Sequence, residues 1–227
     1  MSIKQLLFIA AMMFSVSAFS QQSKPAADAS EKGVPPQAKQ LELASELVRY
    51  GYQTKSALPL VQAVQIYKSL NISNASDNRS KQESGTEVTS SLVKSDVVSF
   101  DESKLLADAT TFADGNKTLL ALIKDAEKST RGRSAGPLRT SDRVRAGYTD
   151  TWTIKFNGGE EAYVLVSGDG DTDLDLYVYD ENDNLIDSDT DRSDDCVAAF
   201  TPRWTGYFKI KIKNLGSVYN NYVLITN

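Results

Sequence analysis

The chain has 227 residues, 41% of them apolar and 24% charged, which gives room for one ordinary domain and a smaller one. Its 30 acidic and 25 basic residues leave a net charge of −5, and no stretch gathers the lysine and arginine that phosphate neutralisation needs, so a nucleic-acid role is excluded. With no histidine, the chain cannot build a Ser-His-Asp or Cys-His nucleophile, a histidine zinc site or the usual general base near neutrality.

Residues 1–20 read as a secretory signal. Lys4 supplies the basic start, Leu6 to Phe14 the apolar run, and Ala18-Phe19-Ser20 a small-x-small site with cleavage expected after Ser20. The mature protein is expected to be secreted or periplasmic. The apolar run is too short to span a bilayer, and no other stretch approaches the roughly 20 apolar residues a span requires. Residues 21–36 are polar and proline-rich and are predicted to be a disordered linker.

The helical segment is predicted over 37–128. Leu41, Ala44 and Val48 recur at helical spacing and the run is expected to stop at Gly51; Ser56 opens a second helix with the stripe Leu60, Val64 and Tyr67. The stretch at about 73–98 lacks aromatic residues and periodicity over most of its length and is predicted to be a mobile loop. Asp101 can cap a third helix, with Phe100 stapled to Leu105, and Asn116 can cap a fourth through Leu119, Leu122, Ile123 and Ala126. Four such short helices have no core of their own, so their stripes must meet each other or lie on the rest of the chain.

After a linker at 129–136, period-two alternation runs through 137–227. Trp152, Ile154 and Phe156 share a face; Leu174, Leu176 and Val178 oppose Asp173, Asp175, Tyr177 and Tyr179; Phe208, Ile210 and Ile212 oppose Lys209, Lys211 and Lys213. Seven or eight such strands with one face inward imply two packed antiparallel sheets. The fold class is therefore α+β: a small four-helix segment, then an all-β antiparallel, jelly-roll-like β-sandwich. The single cysteine, Cys196, excludes an intrachain disulfide and reads as a small buried strand residue rather than a reactive thiol.

Between Gly168 and Asp195 there are twelve acids and one base, a net of −11. Asp169-x-Asp171-x-Asp173 opens like an EF-hand loop, but Leu174 stands where the turn glycine belongs. Two readings stay open. In one, Asp169, Asp171, Asp173, Asp189, Asp191 and Asp194 share a calcium ion across two turns. In the other, the acids face water and pair with lysines on neighbouring strands. A catalytic carboxylate needs a raised pKa, usually from burial, and acids in turns or on a wet face do not offer it, so the chain reads as no enzyme. Tyr177, Tyr179 and Trp204 are the candidate ligand face.

SGDGDTDLDLYVYDENDNLI and FTPRWTGYFKIKIKN carry an Asp-Leu-Asp-Leu-Tyr-Val strand and a Thr-Pro-x-x-Thr-Gly turn. On these residues the stretch from Gly136 to Asn227 resembles the bacterial pre-peptidase C-terminal domain, a β-sandwich appended to secreted proteases. The N-terminal helical part resembles no such family. The resemblance implies an exported, jelly-roll-like accessory module that aids secretion or adheres to a substrate, with calcium in some members and no catalytic residue. The expected function is an exported, non-catalytic binding protein whose sandwich adheres to an extracellular or cell-envelope polymer or protein. The alternatives are a calcium-stabilised scaffold with a partner-docking helical part and, more remotely, a carboxylate-dyad hydrolase.

Overall fold

The computed structural model describes residues 25–29, 36–70, 73–74, 79–90, 92, 94, 98–128 and 138–227. The expected signal segment, its cleavage after Ser20 and the 129–136 linker lie outside the described residues.

Four helices form where the apolar stripes predict them: α1 (Pro36–Thr54), α2 (Ala57–Ser69), α3 (Glu102–Phe112) and α4 (Lys117–Lys128). Asp101 caps α3 by accepting from the Lys104 N–H at 2.9 Å, and Asn116 caps α4 by accepting from the N–H groups of Thr118 and Leu119. Gly51 does not end α1 as the sequence suggested. The helix runs through it, because a side chain there would drive into Leu60 of α2, and the glycine lets the two helices approach. The middle helix, α2, is buried on several sides through Leu60, Val61, Val64 and Tyr67.

Eleven strands are described: β1 (Ala27–Ala29), β2 (Ser73–Asn74), β3 (Ser80–Gly85), β4 (Leu138–Val144), β5 (Tyr148–Phe156), β6 (Ala162–Gly168), β7 (Leu174–Tyr179), β8 (Leu185–Asp189), β9 (Asp195–Pro202), β10 (Gly206–Asn214) and β11 (Asn220–Thr226). They pair into a central sheet, β1-β9-β6-β11-β4-β2, and an outer sheet, β3-β5-β10-β7-β8. Pairing is antiparallel except where the two residues of β2 run parallel to β4. The eight strands from β4 to β11 fall as β4-β11-β6-β9 in the central sheet and β5-β10-β7-β8 in the outer one, crossing between sheets at every step but β7 to β8, which is the jelly-roll order.

Between the sheets Trp152, Ile154, Phe156, Leu174, Leu176, Val178, Phe200, Phe208, Ile210, Ile212, Tyr222 and Leu224 form one apolar core. Phe156, Phe200 and Phe208 make edge and tilted ring contacts at 5.0–5.8 Å. A second core joins the helices to the outward face of the central sheet through Tyr163, Leu165, Val223 and Ile225. The molecule thus has three layers: helices, central sheet and outer sheet.

Two segments differ from the sequence expectation. Within 21–36, residues 27–29 pair with β9, and Ala26 and Ala27 are buried in the sandwich core. Within 73–98, β3 pairs with β5 over six residues, from Ser80↔Thr153 to Gly85↔Tyr148. Both are edge strands, β1 only three residues long and β3 (SKQESG) without a large apolar side chain. Their order comes from the backbone ladder, a signal that hydrophobic periodicity does not carry.

Candidate functional site

The turn after β6 and the turn before β9 meet at one end of the sandwich, where Asp169 and Asp194 are buried, Asp173 and Asp195 partly buried, and Asp171 and Asp191 exposed. Asp194 accepts from the Gly170 N–H at 2.5 Å and from Asn220 Nδ2 at 3.2 Å. Burial pushes its carboxyl above the usual range, and those donors oppose the shift. Gly168 is required at this point, since a Cβ would collide with the carboxylate of Asp194 and the amide of Asn220. Arg49, reaching down from α1, forks onto Asp195 at 3.2 and 2.7 Å and donates to the Gly168 carbonyl at 3.0 Å.

Lys94 completes the cluster. Its ammonium bonds Asp169 and lies 2.7 Å from Asp171, 3.3 Å from the Tyr219 carbonyl and 4.5 Å from the centre of the Tyr219 ring. Asp169 also accepts from the Asn221 N–H at 2.7 Å. Burial raises its pKa while Lys94 and that N–H pull it back. A lysine therefore stands between two of the carboxylates offered as calcium ligands.

The other candidates are also placed by backbone. Asp189 accepts from the Val197 N–H at 3.0 Å, and Asp187 from the Ala199 N–H at 2.9 Å, so alternate acids of β8 satisfy donors on β9 across the side of the sandwich. Asp191 accepts from the Ser193 N–H in its own turn at 2.8 Å. Asp173 keeps a buried oxygen with no partner. Asp180, fully buried, accepts from Ala26, Asn182 and Asn184; burial opposes ionisation, but these bonds hold the carboxyl below its ordinary range.

Among the described residues no three His, Cys, Asp or Glu side chains converge as a metal-binding group. In this arrangement Lys94 or a backbone N–H occupies one oxygen each of Asp169, Asp171, Asp189, Asp191 and Asp194, so a calcium ion there would have to compete with those donors. A saturated calcium site at a hundredfold excess would add about 2.7 kcal/mol, roughly 5–10 °C of melting temperature for a chain of this size. The expected result is instead an unchanged midpoint between millimolar calcium and chelator in a thermal melt. A calcium-dependent rise of that size would mean that an ion displaces Lys94.

The outward face of the outer sheet has a different character. Along β10, Tyr207, Lys209, Lys211 and Lys213 alternate with buried Phe208, Ile210 and Ile212. Thr149, Thr151 and Thr153 of β5 lie on one side and Asp175, Tyr177 and Tyr179 of β7 on the other, with Lys211 opposite both Thr151 and Tyr177. The Tyr177 and Tyr179 rings stack at 6.4 Å and 30°, and Lys211 sits 4.4 Å over the second ring. The Tyr177 hydroxyl donates to Asp175 at 2.9 Å, and Lys209 pairs with Asp183 at 2.7 Å.

Trp204 lies at the end of this face, 42% exposed, in the turn between β9 and β10. Its indole donates to Glu181 at 3.2 Å, and its backbone packs on Gly158, whose N–H donates to Thr205. The structure thus brings Tyr177 and Tyr179 together and sets Trp204 at their edge. It adds Tyr207, 54% exposed, on the same side of β10 as the lysines.

No protein-family model and no curated protein matches the chain. Among solved structures it is similar to the pre-peptidase C-terminal domain of a collagenase from Bacillus anthracis, at 15% identity over 40% of this chain and 90% of that one, with a TM-score of 0.33. That domain belongs to the family which the C-terminal residues resemble. The chain is also similar to a periplasmic inhibitor of g-type lysozyme from Aeromonas hydrophila, at 12% identity over 43% of this chain and 90% of that one, TM-score 0.31. A third is the C-terminal carbohydrate-binding module of a laminarinase from Zobellia galactanivorans, at 8% identity over 40% of this chain and the whole of that one, TM-score 0.25.

Cys196 is buried and free, its thiol donates to the Leu174 carbonyl at 3.1 Å, and burial pushes its pKa up. A buried chain of polar groups went unread in the sequence: the Trp152 indole donates to the Tyr222 hydroxyl at 2.8 Å, which donates to Asp150 at 2.7 Å, and Lys81 of β3 closes on Asp150 at 2.8 Å and Asp142 at 2.9 Å. The signal was available. Asp150 has the same strand parity as Trp152 and so had to point inward.

Proposed function

We propose that the protein is an exported, non-catalytic binding module that adheres to an extracellular or cell-envelope polymer or protein through the outward face of the outer sheet. The observation that carries this reading is the stacked Tyr177–Tyr179 pair on the face that no described helix roofs, on a strand paired on either side. Partly exposed aromatic rings on a sheet offer flat contact area at low entropic cost. Export rests on the signal segment read in the sequence, and no described helix is long and apolar enough to cross a membrane.

The scaffold reading draws less support, since the apolar stripes of the helices are used up against one another and the central sheet. A hydrolase also draws little. The acids with raised pKa are Asp150, Asp169 and Asp194, and each is tied to a lysine or to backbone and amide donors. The test is co-sedimentation of the mature protein with insoluble glycans and collagen. Tyr177→Ala with Tyr179→Ala is expected to cut the bound fraction about tenfold, given 1–2 kcal/mol for a lost aromatic contact, while the melting temperature moves little. Retention of full binding by a folded double variant would remove this face from the function.

A further inference from the structure

On the reading that this face adheres to a polymer, we infer that its ligand is a linear acidic polysaccharide, carboxylated or sulfated, held along the lysine stripe of β10. The protein carries a net charge of −5, yet this face runs against that sign. Lys209, Lys211 and Lys213 stand at every second position of the middle strand, and Lys155 of β5 lies opposite Tyr207. The acids on the same face are Asp175, buried and bonded to the Tyr177 hydroxyl, and Asp183, paired with Lys209. Of the twelve acids between Gly168 and Asp195, Asp169, Asp187, Asp189 and Asp194 are bonded away from this surface, while Asp173 and Glu181 lie at its two ends.

Successive lysines on one face of a strand are about 6.8 Å apart, so the three side chains leave β10 along a straight line more than 13 Å long, with Lys209 reaching Asp183 and Lys211 lying over Tyr179. That line suits an extended polyanion better than a compact anion. On one side it is flanked by the hydroxyls of Thr149, Thr151 and Thr153, and on the other by the stacked tyrosines. Hydroxyl rows match the many hydroxyls of a sugar chain, and tyrosine faces take the apolar side of a pyranose ring. An acidic protein would need neither, and a nucleic acid is disfavoured by the absence of arginine from the face.

The experiment is a binding titration of the mature protein against heparin and alginate as acidic probes, dextran as a neutral one, and polyglutamate and single-stranded DNA as non-sugar polyanions, at low and high salt. The expected result is preference for heparin or alginate, weakening as salt screens the charges. Lys209→Gln, Lys211→Gln and Lys213→Gln combined are expected to weaken it about tenfold or more. A charge-matched control, Lys39→Gln, Lys117→Gln and Lys124→Gln on exposed helix positions, is expected to bind like the parent, and all variants should melt alike. If the stripe variant proves unfolded, the single Lys211→Glu serves in its place. Equal, salt-insensitive binding to dextran, lost with the tyrosines, overturns the acidic class and leaves the adhesion reading standing. Preference for polyglutamate or DNA also overturns it. No binding to any probe or to insoluble glycans and collagen overturns both.

Discussion

Residues 136–227 produced without the preceding chain are expected to aggregate or self-associate rather than fold as a soluble monomer. A jelly roll appended to another protein should stand alone, with its outward faces wet. Here the outward face of the central sheet carries Tyr163, Leu165, Val223 and Ile225, and their burial depends on the helical layer. Each fully buried side chain of this kind contributes roughly 1.5–3 kcal/mol. Four of them amount to a sum of the same size as a domain's whole net stability of about 5–15 kcal/mol.

The truncation also removes β1 from the edge of β9, β2 from the edge of β4 and β3 from the edge of β5, leaving three open ladders beside a newly bared apolar patch. Arg49 leaves Asp195, and Lys94 leaves the buried Asp169 carboxylate without its cation. Size-exclusion chromatography and thermal melting of the fragment beside the full chain decide it. A monomeric fragment that melts cooperatively within about 5 °C of the full chain would show that the helices are an appendage and not a layer.

What the sequence conveyed and what it hid follow from the same physics. The alternating strands β5, β7 and β10 were legible because each has one face in the core and one in water, and the structure pairs them side by side in the outer sheet. The central sheet was misread as half-wet, though AYVLVSG of β6 and NNYVLIT of β11 hold largely continuous buried runs, the mark of strands covered on both faces. Those runs and the apolar stripes of the helices were two halves of one interface. The acids were misjudged for a related reason. Composition reports that charge is crowded, but not that Arg49 and Lys94, over 70 residues away in the chain, arrive to neutralise it.

Lys81→Met is expected to destabilise the protein by about 2–3 kcal/mol, some 5–10 °C in melting temperature. The carboxylate of Asp150 is fully buried, and Lys81 is the cation that meets it, with Asp142 adding repulsion and Tyr222 donating a hydrogen bond. Removing one partner of a buried pair typically costs about 3–5 kcal/mol, and the lower figure applies because 23% of the lysine side chain stays in water. Asp150→Asn keeps an acceptor for the Tyr222 hydroxyl and sheds the charge, so it should cost only about 1 kcal/mol. The double variant should then be more stable than Lys81→Met alone, a coupling that a double-mutant cycle reads directly. The sign of the pH effect is fixed as well. Burial already raises the pKa of Asp150, and loss of the lysine raises it further. A raised carboxyl pKa means a penalty present in full above the folded value and relieved as pH falls through it toward the unfolded one. The deficit of Lys81→Met should therefore shrink as pH is lowered through the raised pKa of Asp150, while the deficit of the Asp150→Asn background shows no such recovery. A deficit that stays constant down to the acid unfolding limit, or a double variant worse than either single one, would mean that Asp150 does not carry its charge against Lys81.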